Sequence, residues 1–257
     1  MQEVVSLCQS VFSNLGFYPL YFFLVSGLLI FTSQIIKTQI FIKNILKKNR
    51  KSSLKLKSLA KSLNLEGKID VAYSSKPLSF CYGFLKPRIC LSTGLIRSLT
   101  KNELKAVLLH ESYHLKNLDP LKIILSSTLS YILFFLPIFK DFHKHFLLSK
   151  EISADQLSVR NGNRGSLVSV LSKLLNYPSP NLNFVAGLTS ETLERRIIYI
   201  RGDKKIEFRI SKVNLFLSIT SILLLFLAFN TPVSATLGGG SCNGAKNFSE
   251  NIFYTPK

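Results

Sequence analysis

The sequence predicts a mainly α-helical membrane protein that carries a small β-sheet, and three observations predict it. Apolar runs at Phe17 to Ile36, Leu121 to Phe139 and Val213 to Asn230 are helix-length and close to the span of a bilayer. IDVAY, LSFCY and RICLS, from Ile69 onward, are short β-branched and aromatic runs punctuated by Pro77, Gly83 and Pro87, the texture of two or three strands. Thr100 to Asp119 then has the periodicity and start signal of one amphipathic helix.

Residues 1–16 hold one acid, Glu3, and no base, and the charge-free run 17–36 follows. A cleaved signal peptide would carry its positive charge before the apolar run, whereas here the charge comes after it. Between Lys37 and Lys68 stand ten basic residues opposed by Glu66 alone. The positive-inside rule therefore puts residues 1–16 outside, a transmembrane helix at 17–36, and a basic cytoplasmic segment at 37–68 facing anionic lipid headgroups. The whole chain carries 33 basic against 14 acidic residues, a formal +19. With no aromatic-and-basic nucleic-acid module in view, that charge points to the membrane surface, and no nucleic-acid partner is expected. Cys8, Cys81, Cys90 and Cys242 are scattered without a C-x-x-C pair, which argues against a thiolate zinc site and a disulfide framework. Cys81 and Cys90 fall in the cytoplasmic sheet and are expected as reduced thiols.

In the helix TKNELKAVLLHESYHLKNLD, Thr100 and Glu103 make a capping box, and Leu104, Val107, Leu108 and Leu115 form a core-facing stripe. It contains His110-Glu111-Ser112-Tyr113-His114, an H-E-x-x-H motif. Four residues apart on a helix, His110 and His114 share a face and can reach one zinc ion, with Glu111 placed to hold the metal's water. The motif alone is short and also arises by chance, with histidines that are merely hydrogen-bonded. The long metzincin form is excluded, because Asn117 and Pro120 stand where it needs Gly and His.

A third ligand must come from elsewhere. In IFKDFHKHFLLSKEISADQLSVR, Glu151 and Asp155 lie four apart and so share a helical face. Glu151 is the leading candidate and Asp155 the group that would orient the ligands; His143 and His145 are the rivals. This choice bears on Leu121 to Phe139. A full crossing there would strand His114 and Glu151 on opposite sides of the membrane. The segment is therefore expected to dip into the membrane and return, or to pack within the domain, with the chain reversing near Pro137. Residues 69–212 would then form one domain, followed by a transmembrane helix at 213–230 and a short extracytoplasmic tail at 231–257, with a loop at NYPSPN.

GFLKPRICLSTGLI, LTKNELKAVLLHESYHLKNLDPL, LPIF and KEISADQLSV, in that order, resemble the integral-membrane gluzincin zinc metallopeptidases, with the BlaR/MecR-type family nearest and the HtpX/CAAX-protease-type family close to it. The resemblance covers roughly residues 75–200. It implies a gluzincin-like α+β domain with Zn2+ held by His110, His114 and Glu151, Glu111 as catalytic acid/base and Asp155 as the orienting carboxylate. Arg196, in TLERRIIYI, resembles an HtpX-type arginine that would stabilise the transition state; a juxtamembrane basic residue is the plain alternative. BlaR/MecR-type receptors have further N-terminal spans and a large extracellular penicillin-binding sensor, where this sequence shows one N-terminal span and the stretch Thr231 to Lys257 after the last, so the resemblance supports the protease module and does not extend to β-lactam sensing. Three readings follow: a membrane zinc endopeptidase facing the cytoplasm and acting on protein or peptide substrates; a regulatory module that cleaves a repressor and takes its signal from a sensor partner; and a non-enzymatic membrane protein with a fortuitous motif.

Overall fold

The computed structural model describes residues 18–47, 53–175, 190–202 and 210–230. Cys8, Cys242, the NYPSPN segment and the tail after residue 230 lie outside them. The chain begins with helix α1 (Tyr18–Leu46), followed by α2 (Leu54–Ser62) and strands β1 (Ile69–Ala72), β2 (Ser79–Tyr82) and β3 (Arg88–Ser92). Next come α3 (Thr93–Ser98), α4 (Lys101–Lys116), α5 (Asp119–Ile132) and α6 (Ile138–Asn161). Helices α7 (Arg164–Leu175), α8 (Ser190–Arg201) and α9 (Lys212–Asn230) complete the described elements. This is the mainly helical protein with a small sheet that the sequence predicts.

The sheet has the order β1-β3-β2, with β3 parallel to β1 and antiparallel to β2. The central strand β3 is buried from Ile89 to Ser92, and β2 is left at an edge, against the face of α4. The predicted capping box closes: Glu103 N donates to Thr100 Oγ1 and Thr100 N donates to a Glu103 oxygen. Leu104, Val107, Leu108 and Leu115 all enter the main core, where they meet Leu56, Val71, Ile89 and Leu91.

One helix among the described residues, α1, is long and apolar enough to cross a membrane. It does not end at Ile36, as the change in charge suggests, but continues to Leu46, where Phe41, Ile45 and Leu46 pack on Ala72, Phe80 and Cys90 of the sheet. Lys37 and Lys43 ride on this extension, because a charge on an exposed helical face does not stop a helix that is anchored on its other side. The apolar part of α9, Lys212–Leu227, is shorter, and its leucines and phenylalanines are largely exposed.

The run 121–139 is not one helix. α5 ends at Ile132, the chain turns over Leu133 to Leu136, and α6 starts after Pro137 and returns along α4. Small residues allow that close return. Ser158 Oγ donates to Ala106 O at 2.8 Å, Ala154 is fully buried, and a Cβ on Gly162 would stand 3.2 Å from Leu109 Cδ1 of α4.

Candidate metal centre

The return of α6 brings Glu151 to the pair of histidines on α4. His110 Nε2 and His114 Nε2 are 3.2 Å apart, and Glu151 reaches them with Oε2 at 3.4 Å and Oε1 at 3.6 Å respectively. Ligand atoms bound tetrahedrally at about 2.0–2.2 Å from one ion stand about 3.4 Å from each other. The two Nε2 atoms stand close to that edge length, one or other Glu151 oxygen stands at a similar distance from each of them, and no other group of this kind occurs among the described residues.

Each outer ring nitrogen meets a buried carboxylate. His110 Nδ1 lies 2.9 Å from Asp155 Oδ1, and His114 Nδ1 lies 2.9 Å from Asp119 Oδ2. These acceptors assign the imidazole protons to Nδ1, so that both Nε2 lone pairs converge on the Glu151 carboxylate. Three converging acceptors in a buried site call for a cation, and two imidazoles with one carboxylate suit zinc. Burial pushes His110 toward its neutral form, but bonds to Asp155 and Glu151 outweigh it and lift the pKa to about 10.

Two cations balance the carboxylates. Arg196, buried on α8, donates from Nε and Nη2 to the two oxygens of Asp155, each at 2.7 Å, and its Nη1 lies 2.9 Å from Glu151 Oε2. Burial works against ionised Glu151 and Asp155, and Arg196 overrides it, holding both well below the usual carboxylate range. Lys150 Nζ stands 3.1 Å from Asp119 Oδ1. Asp119 is likewise held low, because its bonds to His114 and Lys150 exceed the cost of burial. Glu111, Glu151, Asp119 and Asp155 formally exceed Arg196 and Lys150 by two charges, which a divalent ion would offset.

Glu111 is buried and accepts a hydrogen bond from Ser79 Oγ at the start of β2. Beside it opens a cavity of about 120 Å³ that reaches His110, Glu111 and His114 and is walled by Thr38, Tyr82, Gly83 and Ile123. Gly83, with φ +87°, turns the chain out of β2, and a Cβ there would press on Lys86 O at 2.8 Å.

The sequence-predicted residues His110, Glu111, His114, Glu151, Asp155 and Arg196 are thus brought together. Arg196 lines the same cavity, and its guanidinium holds Asp155 and Glu151. His143 and His145 stay apart from the cluster, in a separate cavity between α5 and α6, where His143 Nδ1 pairs with Ser126 Oγ at 2.9 Å. Ser79, Asp119 and Lys150 were not legible. Asp119 reaches His114 because Leu118 adopts a left-handed φ of 53° and turns the chain sharply between α4 and α5. The one available signal was an acidic residue before Pro120, directly after the motif helix.

Comparison with known proteins now bears on this geometry. The family model described as BlaR1 peptidase M56 matches residues 8–200, which includes α1, the sheet, the three candidate ligands and Arg196. The chain belongs to the BlaR1 peptidase M56 family. The match selects the BlaR/MecR-type resemblance over the HtpX/CAAX-protease type and extends it well before residue 75. The regulatory protein BlaR1 of Staphylococcus aureus is 26% identical over 158 residues, which cover 59% of this chain and 26% of that protein. The chain thus matches about a quarter of the length of this relative. An M56 peptidase family, together with the apolar α1, makes this a membrane-associated protein of metallopeptidase type.

Proposed function

We propose that this chain is a membrane-bound zinc endopeptidase that hydrolyses peptide bonds in cytoplasmic or membrane-proximal proteins. The observation that carries the reading is the convergence of His110 Nε2, His114 Nε2 and the Glu151 carboxylate beside the buried carboxylate of Glu111. A zinc ion, when bound there, supplies Lewis acidity that acidifies a water and polarises the scissile carbonyl. Glu111 takes a proton from the attacking water and passes it to the leaving amine as the C–N bond breaks. Ser79 holds one Glu111 oxygen and leaves the other for that transfer. An extended substrate would lie along the edge of β2, pairing backbone to backbone next to α4. Arg196 acts on this reading by fixing Glu151 and Asp155.

The basic residues of α1 and α2 favour a cytoplasmic orientation beside anionic lipids. The name of the relative supports a regulatory role, and cleavage of a repressor in response to a partner would be an output of the same chemistry. The test is metal content and proteolysis of the purified chain and its Glu111→Gln variant. About one zinc per chain in both, with cleavage of a protein substrate lost only in the variant, is the expected result. A parent without metal, or a variant that cleaves equally well, would overturn the reading.

A further inference from the structure

We propose that Lys150 is a positioning residue for the metal centre, which fixes the orientation of His114 by holding Asp119. The proposal rests on His110, His114 and Glu151 being the metal-binding set. Asp119 is 0% exposed, and its two oxygens are divided between His114 Nδ1 at 2.9 Å and Lys150 Nζ at 3.1 Å. The Lys150 side chain is 18% exposed. Its ammonium lies 5.8 Å from the ring centroid of Tyr113 and 5.5 Å from that of Phe146, distances at which a ring face attracts a cation. A lysine near a membrane ordinarily extends its flexible stem toward water. This one is turned inward, between two aromatic rings, onto a fully buried carboxylate.

The consequence follows from the cost of burying charge. A carboxylate in apolar surroundings facing only an imidazole N–H is poorly compensated. Lys150 supplies the missing cation and keeps Asp119 an acceptor, which keeps the His114 proton on Nδ1 and Nε2 open toward the metal position. His110 has the matching arrangement in Asp155 and Arg196. Lys150 also immediately precedes Glu151, so one turn of α6 carries both the third ligand and the cation that sets the second. All three ligand side chains are thereby registered to α6: Glu151 directly, His110 through Asp155, and His114 through Asp119 and Lys150.

The experiment uses the full chain in detergent micelles with Co2+ as the probe metal, read by its visible absorption and by competition with a chelator. Lys150→Met should weaken Co2+ affinity by roughly 10- to 100-fold and alter the visible band, as loss of an outer partner of a ligand does. Lys150→Arg should recover most of the affinity. Lys150→Met placed on Asp119→Asn should add almost no further loss, because both act through one side chain. Lys150→Gln repeats the measurement should the methionine variant not fold, with circular dichroism and melting recorded for each. Unchanged affinity in the Met and Gln variants, no recovery with Arg, or independent losses in the double variant would each overturn the role of Lys150. Should the parent itself take up no Co2+, or His114→Ala leave uptake unchanged, the metal-centre reading falls and this inference with it.

Discussion

Arg196 and Asp155, 41 positions apart, form a buried bidentate pair in which both guanidinium–carboxylate bonds measure 2.7 Å. The same guanidinium touches Glu151, so α8 is fastened to α6 through the side chains that border the ligands. Deleting Arg196 would leave Asp155 buried with His110 Nδ1 in place of a full counter-charge, a loss of up to roughly 3–5 kcal/mol, the scale for broken interior ion pairs. Arg196→Met is expected to lower the unfolding free energy by that order and to weaken metal binding. Arg196→Lys should restore little of either, since an ammonium cannot fork across two oxygens. Denaturant unfolding with a parallel metal titration checks both outcomes.

Glu103 makes a pH prediction far from the metal. It closes the capping box and takes both Lys173 Nζ, at 2.8 Å from each oxygen, and Ser169 Oγ at 2.6 Å. Burial raises its pKa, but the bonds from Lys173, Ser169 and Thr100 win and bring it from 4.5 down to about 2. A carboxylate whose folded pKa lies below its unfolded value stabilises the fold at pH above the unfolded value. That stabilisation is lost as pH falls toward the folded one. Glu103→Gln should therefore cost roughly 1–3 kcal/mol near neutral pH, the scale of charge-assisted hydrogen bonds. The gap to the parent should hold down to about pH 5 and close between there and about pH 2. A gap that widens on acidification would contradict the assignment.

What the sequence made legible is what local pattern encodes. The capping box, the leucine stripe and the i, i+4 histidines are set by helical periodicity within one segment, and the strands by β-branched runs between prolines. Glu151 and Asp155 were found because their spacing repeats the same logic on a second helix. Contacts that need a fold to bring them about were not readable. Ser79 meets Glu111 across 32 positions, and Asp119 meets Lys150 only because Leu118 turns left-handed and α6 then doubles back. The continuation of α1 to Leu46 was hidden for a similar reason, since its lysines mark solvent while Phe41 and Ile45 mark a sheet not adjacent in sequence.

Ser79 offers a clean separation of base from metal. Its hydroxyl donates to Glu111, the proposed base, and not to a proposed ligand. Ser79→Ala is expected to reduce kcat by about 10-fold, the scale of one to two kcal/mol for a lost hydrogen bond to a charged group, with metal content unchanged. Ser79→Thr keeps the hydroxyl and should retain more of the rate. A Ser79→Ala variant that loses metal instead would show that the strand supports the site structurally and does not tune the base.

The turn between α5 and α6 carries the last prediction, which concerns how this domain meets the bilayer. α5 has 14 residues, about 21 Å at 1.5 Å per residue, short of the ~30 Å hydrocarbon core, so it does not cross. It instead runs alongside the apolar part of α1: Gln34 Nε2 bonds Thr128, the Gly27 Cβ position lies 2.5 Å from Ile132 Cδ1, and Phe23 meets Phe135 at 5.6 Å. On the other side Ile138 N donates to Ser218 Oγ of α9, and Asp141 bonds Ser211 N and Asn214 at the start of that helix. An aspartate is costly within lipid, so a turn that dips into the bilayer would leave Asp141 at the level of the headgroups and carry Phe135 beyond it. The turn closes on itself, with Leu136 N bonded to Leu133 O and Phe139 N to Leu136 O, as irregular backbone in an apolar layer requires. Phe134, 64% exposed, should therefore contact lipid tails just below the headgroups. The chain has no tryptophan, so Phe134→Trp gives an isolated fluorescent probe. Its emission is expected to be blue-shifted and quenched by lipids brominated near the headgroup end of the acyl chain. Leu85→Trp, on an 81% exposed loop position beside the sheet, should be quenched by aqueous acrylamide and not by those lipids. Equal acrylamide quenching at both positions would mean that the turn lies in water, and that α5 packs on α1 without dipping into the membrane.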